Sequence, residues 1–156
     1  MGQKKSQRSL RFSRQFSAPR SKVFALFASH ERFGAALGGP AGVKLGALRR
    51  IKTSEEAGNP DGLGSVRRIG FGPSAFEETI VGFEPGKRIE YRISRGSPLK
   101  NHLGQIEFRD VPGGTQVDYS IRFEPRIPGT GGALALLLHS LISGGLNRIE
   151  NEFGAL

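Results

Sequence analysis

Few residues of this 156-residue chain form a pattern that indicates a catalytic or metal site. The chain has no cysteine, and its histidines, His30, His102 and His139, are too scattered to suggest a metal site. The sequence also has no glycine-rich phosphate loop and no serine nucleophile elbow. We therefore expect no metal and no cofactor, and the chemistry left to consider is general acid–base catalysis on a bound carbonyl compound.

His102 is the candidate for the acid–base group. In the segment HLGQIEFRDV, residues 102–111, it alternates with Ile106 and Phe108, so in a strand it points to the same apolar side. An unperturbed imidazole titrates near neutral pH, which suits proton transfer. The alternative is that His102 lies at the end of its strand, beside the loop at 97–101, and has no catalytic role.

Two tyrosines share the apolar sides of other predicted strands. Tyr91 alternates with Ile89, and Tyr119 alternates with Ile121. A phenol hydroxyl in an apolar wall can orient a ligand oxygen, so both tyrosines are candidate ligand contacts. The alternative is that their rings only pack in the core.

A carboxylate and a guanidinium also fall on apolar sides by alternation. Glu78 and Arg68 lie on neighbouring predicted strands, and if both are buried they need each other as partners. We place this pair in the binding site. It stays open whether Glu77 and Arg67 face the interior instead, because a bulge near Gly82 would exchange the two faces.

The elements that position these residues are predicted from hydrophobic periodicity. Residues 9–17 alternate as a strand, and 17–29 change to helical spacing. A second short helix follows and ends at Gly38-Gly39-Pro40. Six strands joined by short turns are then predicted, which makes an antiparallel meander; they cover residues 43–53, 65–72, 75–84, 87–95, 102–111 and 115–124.

The last segment, 134–153, has an apolar stripe at helical spacing and is predicted to be a long helix packed on the sheet. The stripe consists of Leu134, Leu137, Leu138, Leu141, Ile142, Ile149 and Phe153. Where helix and sheet face each other, the predicted ligand-wall residues are Ile106, Phe108, Ile121, Leu138, Leu141 and Ile142. Gly144-Gly145 interrupts this helix, which indicates a bend, a close approach to the sheet, or room for a ligand.

Length and composition predict one domain at 9–156 after a flexible basic N-terminus at 1–8. The net charge of +9 suits nucleic acid, an acidic membrane surface or anionic ligands, but the basic residues are spread along the chain without a nucleic-acid-binding motif. We therefore expect no nucleic-acid partner. The apolar runs are too short to span a bilayer. The lack of cysteine favours a cytoplasmic protein, and we expect a monomer or homodimer.

The segments FSAPRSKVFALFAS, FEPGKRIEYRI and GQIEFRDVPGGTQVDYSIRFEP, followed by the last helix, resemble the START-like SRPBCC superfamily, in particular its polyketide cyclase/dehydrase branch. The resemblance implies an α+β helix-grip fold, in which a curved antiparallel sheet of six or seven strands surrounds a long C-terminal helix and a hydrophobic cavity. Many relatives have a tryptophan after the first helices, where this chain has Phe33 and a stretch rich in glycine and alanine.

The resemblance implies binding of a hydrophobic or aromatic small molecule between sheet and helix. A polyketide cyclase or dehydratase that works by acid–base chemistry is one expectation. A lipid or quinone carrier without catalysis is the second, and a protein- or ribosome-interaction module is the third. Fold resemblance alone does not choose among them.

Overall fold

The structure, a computed structural model, describes residues 7–45, 48–70 and 72–156. Phe71, most of the predicted basic N-terminus and residues 46–47 of a predicted strand lie outside the described residues. The elements in chain order are β1 Arg8–Phe16, α1 Arg20–Ala28, α2 His30–Leu45, β2 Leu48–Lys52, β3 Val66–Ile69, a short 3-10 turn Gly72–Ser74, β4 Phe76–Glu84, β5 Arg88–Arg95, β6 Leu99–Val111, β7 Gly114–Pro125 and α3 Gly131–Phe153.

The strands form one curved antiparallel sheet of seven strands in the order β1-β7-β6-β5-β4-β3-β2. Strands β2 to β7 follow one another as a meander, and β1 closes the row by pairing with β7. In the predicted hairpin, β6 and β7 are antiparallel, and Ile106 lies opposite Tyr119. The predicted α+β helix-grip arrangement of sheet and helices is confirmed, and the hydrophobic cavity stays a prediction.

Helix α2 runs through Gly38-Gly39-Pro40, so the prediction that it ends there is wrong. Pro40 has no backbone N–H to donate to the carbonyl of Ala36, one turn earlier in the helix. Arg148 of α3 donates from Nη1 to that carbonyl at 2.8 Å. A hydrogen bond from another helix thus replaces the missing one, and residues 43–45, predicted as strand, belong to α2.

All three helices contribute to the core on one face of the sheet, which we call the inner face. Phe24 and Phe27 of α1 pack edge-on against Phe108 of β6, with ring centroids 5.0 and 5.4 Å away. Helix α3 packs mainly against α2 and β1. Its buried side chains are Ile142, Leu146 and Ile149.

The rotation of α3 differs from the predicted stripe. Leu137 and Leu141 were predicted to face the sheet, but they are 67% and 43% exposed. Gly145 lies so close to α2 that a Cβ atom there would be 2.7 Å from Cδ2 of Leu37. Gly145 therefore marks a close approach between α3 and α2, and the buried side of α3 carries Ile142, Leu146 and Ile149 rather than Leu137 and Leu141.

No helix in the described part of the chain is long and apolar enough to cross a membrane.

Candidate functional site

A buried ion pair lies on the inner face of the sheet. Arg67 of β3 donates from Nε to Oε2 of Glu78 on β4 at 2.8 Å, and the two side chains are only 3% and 8% exposed. The two residues lie directly opposite each other in the β3–β4 register. Both charges are therefore held inside the protein and satisfied by each other.

The prediction that Arg68 faces the interior is wrong, whereas that for Glu78 is confirmed. Arg68 lies on the outer face, about one-third exposed, with Nη1 4.0 Å from Glu77. Directly opposed residues in an antiparallel pair share a face, so an inward Glu78 requires an inward Arg67. The register shift between Ile80 and Gly82 is the source of the ambiguity in β4.

Two tyrosine hydroxyls lie next to this ion pair. The hydroxyls of Tyr91 and Tyr119 hydrogen-bond to each other, and both residues are buried. The guanidinium carbon of Arg67 lies 4.6 Å from the ring centroid of Tyr91 and 5.5 Å from that of Phe33 on α2. We call Arg67, Glu78, Tyr91 and Tyr119 the polar cluster. It is the place where sheet and α2 meet.

Gly104 positions one of the tyrosines, and sequence reasoning missed it. It lies opposite Tyr91 in the β5–β6 register, and the tyrosine ring lies directly on its backbone. A Cβ atom at Gly104 would overlap that ring. A glycine inside a strand pattern is the sequence signal for such a close approach, but its partner is known only once the register is known.

The charges and burial of the cluster keep its phenols protonated. Burial raises the pKa of Tyr91 well above its usual value, and the nearby Tyr119 and Glu78 raise it further. Burial also raises the pKa of Tyr119. Burial alone would lower the pKa of Arg67, but the charge of Glu78, the two tyrosines and the hydrogen bond to Glu78 together raise it. The cluster is therefore a set of hydrogen-bond donors beside one neutralised carboxylate.

His102 is buried on the inner face as predicted, with its ring centroid 5.4 Å from that of Tyr91. Its Nδ1 accepts a hydrogen bond from the backbone N–H of Ile93 at 3.2 Å. Burial lowers the pKa of His102, so the ring is neutral at pH 7. Since Nδ1 is an acceptor in this contact, Nε2 carries the proton. The lone pair that a general base would use is occupied.

A second buried histidine extends the polar region from the cluster. His30, at the start of α2, has its Nε2 3.0 Å from Oγ of Ser65, and its backbone N–H donates to Asp61 at 2.9 Å. Burial and the charge of Arg67 lower the pKa of His30 to about 4. Its Nδ1 is buried without a hydrogen-bond partner among the described residues. No periodic pattern around His30 in the sequence predicts this position.

The predicted apolar wall is divided by the structure. Ile106, Phe108, Ile121 and Ile142 are buried in the core, and Leu138 is half-buried against it. Leu141 lies at the surface because of the rotation of α3, so its assignment to the wall is wrong. The remaining wall residues belong to, or pack against, the same hydrophobic core as Tyr91 and Tyr119.

A cleft of about 600 Å³ lies elsewhere, next to the turn between β4 and β5. Its charged side chains largely neutralise one another, for example Arg20 with Asp110 at 3.2 Å and Arg88 with Glu84 at 3.2 Å. The lining residues are Arg20, Glu84, Lys87, Arg88, Glu107, Phe108, Arg109, Asp110 and Asp118. With four basic and four acidic residues in this lining, the formal charges of the cleft balance.

Comparison with solved structures agrees with this architecture. The chain is similar to Ara h 8.0201, with 13% identity, a TM-score of 0.67 and coverage of 94% of this chain and 97% of that one. It is similar to an uncharacterised protein from Bacillus thuringiensis, with 18% identity, a TM-score of 0.64 and coverage of 94% and 98%. It is also similar to CV1439 from Chromobacterium violaceum, with 17% identity, a TM-score of 0.63 and coverage of 93% and 96%. These likenesses establish the fold.

The family model described as "Polyketide cyclase / dehydrase and lipid transport" matches residues 7–154. The chain belongs to this family, and the resemblance to the START-like SRPBCC superfamily is confirmed. No curated protein matches the chain. Family and fold together support a ligand-binding domain, without specifying a substrate or a reaction.

Proposed function

We propose that this chain binds a hydrophobic or aromatic small molecule that carries an oxygen, and that the oxygen bonds to the polar cluster. The observation that carries the proposal is the Arg67–Glu78 pair, buried together with two tyrosine hydroxyls inside an apolar core. Hydrophobic residues of similar volume often stabilise a core as well as a buried ion pair does, or better. Because stability alone does not explain a buried ion pair at this position, we assign the pair to ligand recognition.

The donors of the cluster define the chemistry of the ligand. Tyr91 and Tyr119 bond to each other, so a ligand carbonyl, phenol or carboxylate oxygen that replaces one partner gains a hydrogen-bond donor. The surrounding walls, including Phe33 and Ile121, suit an apolar or aromatic body. In the proposal, α2 moves away from the sheet to admit the ligand, because Phe33 and Arg67 cover the tyrosines.

Within this proposal a carrier is favoured over a cyclase or dehydratase. His102 was the acid–base candidate, but its Nδ1 already accepts the N–H of Ile93, and its pKa is lowered by burial. We therefore assign His102 to holding β5 against β6. His102→Gln should reduce thermal stability and leave ligand affinity largely intact. A specific loss of turnover in this variant, with unchanged affinity and stability, would restore the catalytic hypothesis.

The test of binding uses Tyr119→Phe, which removes a hydroxyl and keeps the ring. Affinity for a panel of quinones, polyphenols and fatty acids is measured by calorimetry, together with the melting temperature. We expect oxygen-bearing aromatic ligands to lose ~0.5–1.5 kcal/mol of binding free energy. The matched control is Ser120→Ala, which removes a hydroxyl from the opposite face of the same strand. If Tyr119→Phe lowers only the melting temperature and no panel member binds, the cluster is structural.

A further inference from the structure

Helix α3 exposes an unusual number of leucines in its first half. Leu136, Leu137 and Leu141 are 72%, 67% and 43% exposed, and Ile127, just before the helix, is 64% exposed. We call these four residues the leucine face. Exposed apolar side chains are common singly, but a cluster on one helix indicates an interaction surface.

The charge pattern of α3 strengthens this indication. Residues 131–147 contain no Lys, Arg, Asp or Glu, although one side of this segment faces solvent. The last turns have the charged side chains normal for a surface helix, namely Arg148, Glu150 and Glu152. A helix that packs on a sheet usually has charged and polar residues on its outer side. The first half of α3 therefore lacks the charged side chains that normally make an exposed helix face favourable in water.

Basic residues flank the leucine face. Arg8 of β1 lies against the start of α3, since a Cβ atom at Gly131 would be 3.0 Å from its Nε. Arg126, adjacent to Ile127, is exposed and donates from Nε to the carbonyl of Ser97 at 2.9 Å. Neither arginine forms an ion pair with a carboxylate within the residues that the structure describes. The surface is apolar at its centre and positive at its edge.

We propose that the leucine face docks on an anionic phospholipid bilayer. The leucines enter the boundary between headgroups and acyl chains, and Arg8 and Arg126 bond to lipid phosphates. Charge complementarity favours this partner over a second copy of the chain, because pairing two copies would bring the same arginines together on molecules of net charge +9. Four side chains are also few for a stable dimer, which buries ~800 Å² on each partner.

The test is sedimentation of the full chain with vesicles of phosphatidylcholine alone and of phosphatidylcholine mixed with phosphatidylglycerol. We expect binding to the mixed vesicles, weaker binding to the neutral ones, and a decrease with salt. The double variant Leu136→Gln/Leu137→Gln should weaken binding by about tenfold or more. Leu63→Gln is the matched control, since Leu63 is 45% exposed on the loop before β3. Arg8→Gln/Arg126→Gln should reduce both the preference for anionic lipid and the dependence on salt.

Because the substituted leucines are exposed, these variants should keep the melting temperature and circular dichroism spectrum of the original chain. Equal vesicle binding by the Leu136→Gln/Leu137→Gln variant, or no binding of the original chain to mixed vesicles, would overturn the proposal. Light scattering tests whether the leucine face binds a second copy of the chain instead of a bilayer. If the original chain is a dimer that does not bind vesicles, and the Leu136→Gln/Leu137→Gln variant is a monomer, the leucine face is a self-association surface.

Discussion

Two regions of the molecule reverse the usual distribution of side chains. The interior near β3, β4 and α2 contains an arginine, a glutamate and two tyrosine hydroxyls, whereas the first half of α3 presents leucines to solvent without charged neighbours on the helix. Proteins ordinarily bury leucine and expose arginine and glutamate. Stability of the fold explains neither region, which favours a functional role for both: ligand binding inside and docking on a lipid surface outside.

The largest expected effect comes from breaking the buried ion pair. Arg67→Met leaves Glu78 as an uncompensated charge in the core, so the free energy of unfolding should fall by ~3–5 kcal/mol. Denaturation by urea at pH 7 measures this change. The control is Arg68→Met on the outer face, where a partly exposed pair at 4.0 Å should contribute less than ~1 kcal/mol.

A double variant separates function from stability. Arg67→Met/Glu78→Leu removes both charges, and it should recover most of the stability that Arg67→Met alone loses. If the double variant were as unstable as the single one, the pair would be needed for folding, and the contrast between the two regions would lose its functional meaning.

The next largest effect is a pH dependence of the free energy of unfolding that originates from His30. Its pKa in the folded chain is about 4, below the ordinary 6.5, so between these pH values the unfolded chain binds more protons. Stability is fully present above pH 6.5 and should fall by about 3 kcal/mol as the pH drops to about 4. His102 adds a loss of the same sign, because burial also lowers its pKa.

Substitution isolates the contribution of His30. His30→Gln should flatten the decline of stability between pH 6.5 and 4, as measured by thermal unfolding across that range. His139→Gln on exposed α3 serves as the control. An unchanged pH profile in His30→Gln would show that other groups control the interior region.

A smaller effect is expected from crowding one tyrosine. Gly104→Ala places a methyl group against the ring of Tyr91, and the resulting shift should cost ~1–3 kcal/mol of stability and weaken ligand binding. Gly144→Ala is the opposite case, because its Cβ atom meets only the flexible side chain of Arg148 at 3.6 Å or more. That variant should stabilise α3 by ~0.5–1 kcal/mol. Equal effects of the two substitutions would contradict the packing described for Tyr91.

The period of the sequence predicted most of the fold and part of the site. Alternation placed Tyr91, Tyr119 and His102 on the inner face, because a strand with one buried face has a strict period of two. It did not identify Arg67, since β3 has only four residues and β4 contains a register shift. The spacing of apolar residues does not reveal a register shift or the face of so short a strand.

Tertiary contacts account for the differences between the predicted and the observed helices α2 and α3. Helix α2 continues beyond Gly38 because Arg148, more than a hundred residues later, supplies a hydrogen bond to the carbonyl of Ala36. The buried side of α3 is set by its packing against α2 and β1, which leaves Leu141 partly exposed. Neither contact leaves a signal in the local sequence, so the surface leucines could be recognised only in the folded chain.

If the polar cluster receives a ligand, native mass spectrometry should detect that ligand on the purified chain. The chain and its Arg67→Met/Glu78→Leu variant are purified gently from the same host and compared in the same measurement. We expect a bound hydrophobic small molecule on the original chain and its loss from the variant, with the melting temperature largely retained. No bound molecule on either protein, or equal occupancy of both, would contradict it.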